Sequence, residues 1–295
     1  MLTMKNITYS FIIPHHNTPE LLARCIYSIP NRDDVEIIVV DDNSDEDKKA
    51  CSSRLDVRII FIDKEHTKGA GHARNVGLEA ANGKWLLFAD ADDFYCDGLL
   101  DILDDYKDAN EDVVYFCIRS VDGQSLRPIE RIKDINIDIN RYDGTQEALN
   151  RIKFKNQVWN KMYSHSFITD NDITFEEIVC GNDIQFSLLV AYYANAVRID
   201  KRPIYTYTMT ANSITTGKMS KEKLLCKLKT MLKIHKFFNE VGFKGKSGLV
   251  VNLRRHLRHG RIKQFSMSLY LYFAYYSEIH AEKNKYIDKI NQHNR

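Results

Sequence analysis

Four runs of this chain are almost wholly apolar and each halts abruptly, a pattern that constrains the fold more than any other feature. Residues 8–13, preceded by Ile7, stop at Pro14-His15-His16-Asn17, and Val35 to Val40 stops at Asp41-Asp42-Asn43-Ser44. Val57 to Ile62 runs into a polar loop, and Lys84 to Ala89 opens onto Asp90-Ala91-Asp92-Asp93. Between the first two runs Leu21, Leu22, Cys25, Ile26 and Ile29 recur at helical spacing, with Asn17 or Thr18 as the cap and Pro19 in the first turn. A second helix is expected from about Gly71 to Ala81, closed by Gly83. A third over 97–107 and a strand over 112–118 continue the alternation. Strands that are apolar on both faces and alternate with helices form a mainly parallel α/β sheet covered on both sides. Ligands bind such sheets beyond the carboxyl ends of the strands. The clusters at 14–17, 41–44 and 90–93 all fall there, so three separate segments converge on one crevice.

The bulk properties narrow the class. With 295 residues, 44% apolar and 28% charged, the chain is an ordinary soluble globular protein of one large or two modest domains. Six cysteines are scattered without a Cys-x-x-Cys pair, which indicates neither a zinc site nor a disulfide scaffold and fits a reducing cytoplasm. No signal core and no stretch of about 20 apolar residues is present, so secretion by that route and membrane spanning are not expected. The net charge of +2 conceals an asymmetry: residues 221–295 carry 17 Lys/Arg against 5 Asp/Glu, a net of +12, and residues 1–220 carry 25 against 35, a net of −10. A basic tail on an acidic body suggests a polyanionic partner. Residues 121–155 read as polar and irregular, a mixed region follows through Tyr207, and Leu224, Leu225, Leu228, Met231, Leu232, Ile234 and Phe237 form a helical stripe after Ser220.

Chemistry concentrates in Trp85-Leu86-Leu87-Phe88-Ala89-Asp90-Ala91-Asp92-Asp93. Carboxylates gathered at a strand end repel one another, and a hard cation such as Mg²⁺ or Mn²⁺ is the usual remedy. Taken alone, the cluster serves equally as an acidic turn capping the next helix. An EF-hand is excluded by spacing, since Phe94 occupies the fifth position and no glycine the sixth.

Four linked motifs, Ser10-Phe-Ile-Ile-Pro14-His-His-Asn17, Glu36-Ile-Ile-Val-Val-Asp41-Asp42-Asn43-Ser44, Gly71-His-Ala-Arg74-Asn75-Val-Gly77 and Gly83-Lys-Trp-Leu-Leu-Phe-Ala-Asp90-Ala-Asp92-Asp93, resemble the nucleotide-sugar half of family 2 glycosyltransferases with the GT-A fold. The likeness spans residues 9–110. It implies an α/β Rossmann-like sheet with a helical C-terminal extension. It also implies that Asp42 meets the base, that Pro14 and Asn17 shape the floor under base and ribose, and that Arg74 contacts the nucleotide. Asp90 and Asp92 match the Asp-x-Asp of the family: one would reach the ribose and the metal and the other would hold Mn²⁺ or Mg²⁺ against the diphosphate, with Asp90 and Ala91 on the nucleotide-sugar side; Asp93 ligates or orients. Singly, Asp42 or Ser44 could cap a helix and Arg74 could pair with a surface acid. In Gly181-Asn182-Asp183-Ile184 the family's Glu-Asp pair is reduced to Asp183, which would act as the base of an inverting transfer. The competing reading makes Asp183 an N-terminal acid of its helix.

The segment Val158-Trp159-Asn160-Lys161 resembles the acceptor-side lining of the family, with Trp159, Lys161 and Asn182 as acceptor-side residues; a large aromatic such as Trp159 serves as core more often than as platform. Tyr205-Thr-Tyr207 and Asn212-Ser-Ile-Thr215 resemble a loop closing over donor phosphates. The Gln-x-x-Arg-Trp signature of processive synthases is absent. In the tail, Arg254, Arg255, Arg258, Arg261 and Lys263 adjoin Leu269, Tyr270, Tyr272, Phe273, Tyr275 and Tyr276, either for an anionic membrane carrying a lipid-linked acceptor or as a helical pair packed on the body. Nucleic acid is not an expected partner. The expected divisions are residues 1–110 for the nucleotide sugar, 111–219 for a glycan or lipid-linked saccharide acceptor, and 220–295 for the basic aromatic tail. The resemblance thus implies a cytoplasmic enzyme of polysaccharide biosynthesis, peripheral at the inner membrane face if the tail binds lipid. Two rivals stand beside it. One is a nucleotide-sugar-binding protein without catalysis. The other is a nicotinamide-dependent oxidoreductase on Gly69-Ala-Gly71, which lacks its third glycine because Arg74 stands there.

Overall fold

The computed structural model describes residues 6–209, 220–242 and 262–293. One sheet of eight strands organises the first 209 residues. In chain order the strands are β1 (Tyr9–His15), β2 (Val35–Asp42), β3 (Val57–Ile62), β4 (Trp85–Phe88), β5 (Phe94–Tyr95), β6 (Val113–Asp122), β7 (Lys161–Ser164) and β8 (Val197–Met209). Their spatial order is β3-β2-β1-β4-β7-β6-β8-β5. The first four are mutually parallel, β7 runs against both of its neighbours, and β6 and β8 are parallel. Every residue of β1 and β4 is buried, as expected of central strands rich in apolar residues, whereas edge strand β3 leaves Phe61 55% exposed.

Helix α1 (Pro19–Tyr27) follows β1, and α2 (Ala70–Ala80) packs on β1 and β2. Its approach is close: a Cβ on Gly77 would lie 2.4 Å from Ile12 Cγ2. Helix α3 (Leu99–Asp104) is shorter than the expected 97–107, because Gly98 in the left-handed region starts it and turns replace its end. The cap of α1 also departs from expectation. Thr18 holds the cap position without a side-chain bond, and Asn17, at φ 58°, uses its amide elsewhere.

The irregular reading of 121–155 is overturned. This stretch completes β6 and then forms α4 (Lys133–Asn140) and α5 (Gln146–Lys153). Ile135 and Ile139, and Ala148 and Ile152, place pairs of buried apolar residues four apart inside a mostly polar composition, and Thr145 Oγ1 caps α5 by accepting from the Ala148 N–H. Helix α6 (His165–Asp170) follows β7, and α7 (Asn182–Tyr193) precedes β8. Phe186 of α7 stacks on Phe175 with centroids 4.1 Å apart and meets Phe88 of β4 edge-on at 5.4 Å. That aromatic knot fixes the first turn of α7 beside the end of β4.

A second compact unit comprises Ile178–Gly181 and the chain from Gly217 onward. Its helix α8 (Lys221–Glu240) starts at Ser220, whose Oγ accepts from the Lys223 N–H. Leu224, Leu228, Leu271 and Ile279 form its core. Lys233, wholly buried, is neutralised by Glu282 at 3.1 Å. Among the described residues no helix is long and apolar enough to cross a membrane.

Candidate functional site

The carboxyl ends of β2, β1 and β4 lie at one edge of the sheet, since the three strands are parallel neighbours with His15 paired to Asp41 and Ile12 to Phe88. Asp42 and Asp90 therefore lie at the same edge of the sheet, two strands apart.

At the β1–β2 end the polar residues lock each other. The Thr18 N–H donates to His15 Nε2 at 3.1 Å, which leaves Nδ1 to carry the ring proton and donate it to Asp41 Oδ2 at 2.9 Å. Asp41 also accepts from the Ser44 and Ala50 N–H groups; burial works to raise its pKa, and these hydrogen bonds win and hold it below the ordinary carboxylate value. The Asn17 N–H donates to Ser44 Oγ, and Asn17 Oδ1 accepts from the Asp45 N–H at 2.8 Å. His16 Nδ1 donates to the Asp42 carbonyl. The Asp42 carboxylate, 8% exposed as a residue, accepts from Thr67 Oγ1 at 2.7 Å. Pro14 is buried on β1 opposite Val40. These bonds make a rigid shelf from two loops distant in sequence.

At the end of β4, Asp90, Asp92 and Asp93 bring carboxylate oxygens within 4.8 Å of one another, with Ala91 7% exposed between them. Their surroundings differ. Asp93 is 1% exposed and both oxygens are taken, one by the Tyr205 hydroxyl at 2.9 Å and one by the Thr208 N–H at 2.6 Å. Burial and the charges of Asp90 and Asp92 push its pKa well up. Asp92 is half-buried, and among the described residues no other residue donates a hydrogen bond to its carboxylate. Burial first, then the charge of Asp90, raises Asp92 to about 6. Asp90 keeps one oxygen on the Arg74 guanidinium at 2.5 Å, and its N–H donates to Tyr205 Oη. The arrangement fits a hard divalent cation: two oxygen ligands from Asp92 and Asp90, with Asp93 holding the turn.

Arg74 joins this cluster to α7. Its second amino group donates to Asn182 Oδ1 at 2.8 Å, and the guanidinium lies over the Phe175 ring. Asp183 follows Asn182 in the first turn of α7. Its pKa is raised by burial, with Arg74 opposing and Asp90 adding to the rise. Lys161, wholly buried on β7, donates to the Lys155 carbonyl at 2.9 Å and sits over the Tyr115 ring. Burial lowers it to about 7 against the pull of Asp183. Trp159 is 6% exposed and stacked on Tyr205 at 4.8 Å, so it is packed core.

Tyr205 corrects the sequence reading outright. It lies inside β8, fully buried, and braces the acidic turn through Asp93 and Asp90, so it belongs to no closing loop. Tyr207 is in the same strand, and Asn212 to Thr215 lie outside the described residues. Sequence reasoning also missed Thr67, Thr208, the His15–Asp41 pair and Arg24, whose guanidinium donates to the Asp92 carbonyl and to Thr208 Oγ1. Only His15 carried a signal, through its place after Pro14 at a strand end. The glycines of Gly69-Ala-Gly71 are separated from β3 by the loop after Ile62, which is not a tight strand-to-helix turn.

The sequence model described as Glycosyl transferase family 2 matches residues 10–169, and the chain belongs to that family. Putative glycosyltransferase EpsH of Bacillus subtilis (strain 168) is 27% identical over 227 residues, covering 72% of this chain and 63% of that protein. The poly(ribitol-phosphate) beta-glucosyltransferase of Bacillus spizizenii is 26% identical over 213 residues, 67% of this chain and 31% of that protein. The chain thus matches less than two thirds of the length of these relatives. In fold it is similar to S. aureus TarS 1-349 in complex with UDP-GlcNAc, with a TM-score of 0.58 and 18% identity over 97% of this chain and 80% of that one. The GT-A likeness expected from the motifs holds.

Proposed function

We propose that this chain transfers a sugar, with inversion, from a nucleoside diphosphate sugar, UDP-linked, to a hydroxyl of a glycan or lipid-linked acceptor in surface-polysaccharide assembly. The observation that carries the reading is the acidic cluster Asp90-Asp92-Asp93, oxygens within 4.8 Å, tied through Arg74 to the first turn of the helix that bears Asp183. Bound by Asp92 and Asp90, Mn²⁺ or Mg²⁺ would neutralise charge on the leaving diphosphate.

The chain's own residues supply the rest. Asp42, Pro14 and Asn17 form the shelf for base and ribose. Asp183 accepts the proton of the acceptor hydroxyl as its oxygen bonds to the anomeric carbon, and the bond from that carbon to the phosphate oxygen breaks with its electron pair going to the diphosphate. Burial raises the pKa of Asp183, which makes it a better proton acceptor than a solvated carboxylate. Arg74 orients Asp90 and Asn182. Lys161 and Trp159 support the acceptor side from within the core, since both are buried. Asp183→Asn is expected to lower kcat by about 10² to 10⁴-fold while UDP-sugar binding persists; unchanged turnover of a UDP-sugar panel with Mn²⁺ would remove Asp183 from the mechanism. Binding without any turnover in the wild type would favour the non-catalytic alternative.

The location proposed is the inner face of the cell membrane. Tyr270, Phe273 and Tyr276 are 63%, 68% and 50% exposed, while Tyr272 and Tyr275 pack against the core of their own unit. Arg254, Arg255, Arg258 and Arg261 lie outside the described residues, as does the Lys263 side chain.

A further inference from the structure

A cavity of about 590 Å³ opens between the carboxyl-terminal half of β6 and α4. Arg119, Arg131, Lys133 and Arg141 line it, and Glu130 is the one acid among the described lining residues. Glu130 is occupied by Lys133 at 3.3 Å. The side chains of Arg119, Arg131 and Arg141 have no ion pair or hydrogen bond to any described residue. Elsewhere in the same unit Arg32, Arg54, Arg74, Arg151, Arg198 and Arg202 each hold a carboxylate, whereas Arg58 and Arg127 form no described ion pair but stand singly on the surface and line no part of this cavity. Three unpaired guanidiniums around one concavity are conspicuous in a body whose first 220 residues carry a net charge of −10. The floor is apolar, built by residues such as Ile118, Pro128 and Ile137.

The cavity's place relative to the acidic cluster follows from strand register. Arg119 pairs with Thr206 of β8, and Thr206 pairs on its other side with Phe94, the residue after Asp93. Two strand spacings put the Arg119 and Phe94 backbones about 10 Å apart, in the part of β6 that runs on past the end of β4. We propose that this cavity is a subsite for a phosphate group carried by the acceptor. The three guanidiniums grip the phosphate through paired N–H donors, and the apolar floor takes the adjoining carbon. A phosphate suits three free arginines better than a carboxylate because it offers more charge and a third oxygen. The inference rests on the transfer reading only in calling the ligand part of the acceptor.

The test is calorimetric titration of the full chain with glycerol 1-phosphate, with saturating UDP and Mn²⁺ present to keep the probe out of the nucleotide site. The wild type is expected to bind glycerol 1-phosphate saturably and not to bind glycerol. An Arg131→Gln/Arg141→Gln variant, altered only at exposed side chains, is expected to bind at least tenfold more weakly, and Glu130→Gln several-fold more tightly. Binding that is equal in the double variant, or confined to phosphatidylglycerol vesicles with none to the soluble phosphate, overturns the subsite. Failure of UDP to bind the wild type would instead strike at the transfer reading, and the dependence on Arg131 and Arg141 would still decide the phosphate question.

Discussion

Asp92 and Asp93 are sequence neighbours with opposite surroundings. Asp93 spends both oxygens on Tyr205 and Thr208, and Asp92 spends neither on another described residue. Asp93→Asn puts an amide donor where an acceptor is required and is expected to lower stability by about 1–3 kcal/mol, read as a fall in Tm; Tyr205→Phe should cost a similar amount. A Tm unchanged in both variants would remove Asp93 from the scaffold. Lys161 gives a second test. Its folded pKa, about 7, lies below the ordinary 10.5, so between those values the unfolded chain holds a proton that the folded chain does not. Stability then rises with pH across that window by about 1.4 kcal/mol per unit, and below pH 7 the whole penalty for burying the charge remains. Lys161→Met removes this contribution, so its stability advantage over the wild type should be largest below pH 7 and vanish toward pH 10.5 in urea titrations. A pH-independent difference would contradict the burial of a titrating ammonium. The Asp-x-Asp was legible in sequence because its members adjoin; Tyr205 was not, because a strand 112 residues away delivers it.

The elements that shape the site do so through close backbone approach. A Cβ on Gly71 would lie 2.3 Å from the Glu176 carbonyl oxygen and 2.9 Å from Asn182 Cβ, where α2 meets the segment entering α7. Gly71→Ala should therefore push Asn182 away from Arg74 and lower both Tm and transfer. Gly77→Ala, crowding Ile12 Cγ2 alone, should cost about 1–3 kcal/mol with less effect on kcat per folded molecule. If Gly71→Ala matches the wild type in both measurements, α2 does not position α7 as described. The parallel strands β1, β2 and β4 were readable because burial on both faces leaves a nearly continuous apolar run, and edge strand β3 because Ile59, Ile60, Phe61 and Ile62 stand in a row after Arg58. Helices α4 and α5 were not, because each buries only a narrow stripe, Ile135 and Ile139 or Ala148 and Ile152, amid charged residues. Strand β7, four residues long and reversed between parallel neighbours, carries no periodic signal at all.

At the scale of the whole molecule, charge divides the chain into a body at −10 and a tail at +12. If that tail meets an anionic membrane, Tyr270→Ser/Phe273→Ser should weaken sedimentation with phosphatidylglycerol liposomes several-fold, and raised salt should weaken it further. Equal sedimentation of variant and wild type would exclude these aromatics from any lipid contact. The central claim, however, belongs to the body: loops from β1, β2 and β4 make one pocket for a divalent ion and a sugar nucleotide together. The most direct measurement is calorimetric titration of UDP-GlcNAc into wild type and Asp92→Ala, each with Mn²⁺ and with EDTA. The account predicts saturable binding by the wild type that requires Mn²⁺, and loss of that binding in Asp92→Ala at an unchanged Tm. Binding that is indifferent to both Mn²⁺ and Asp92 would contradict it.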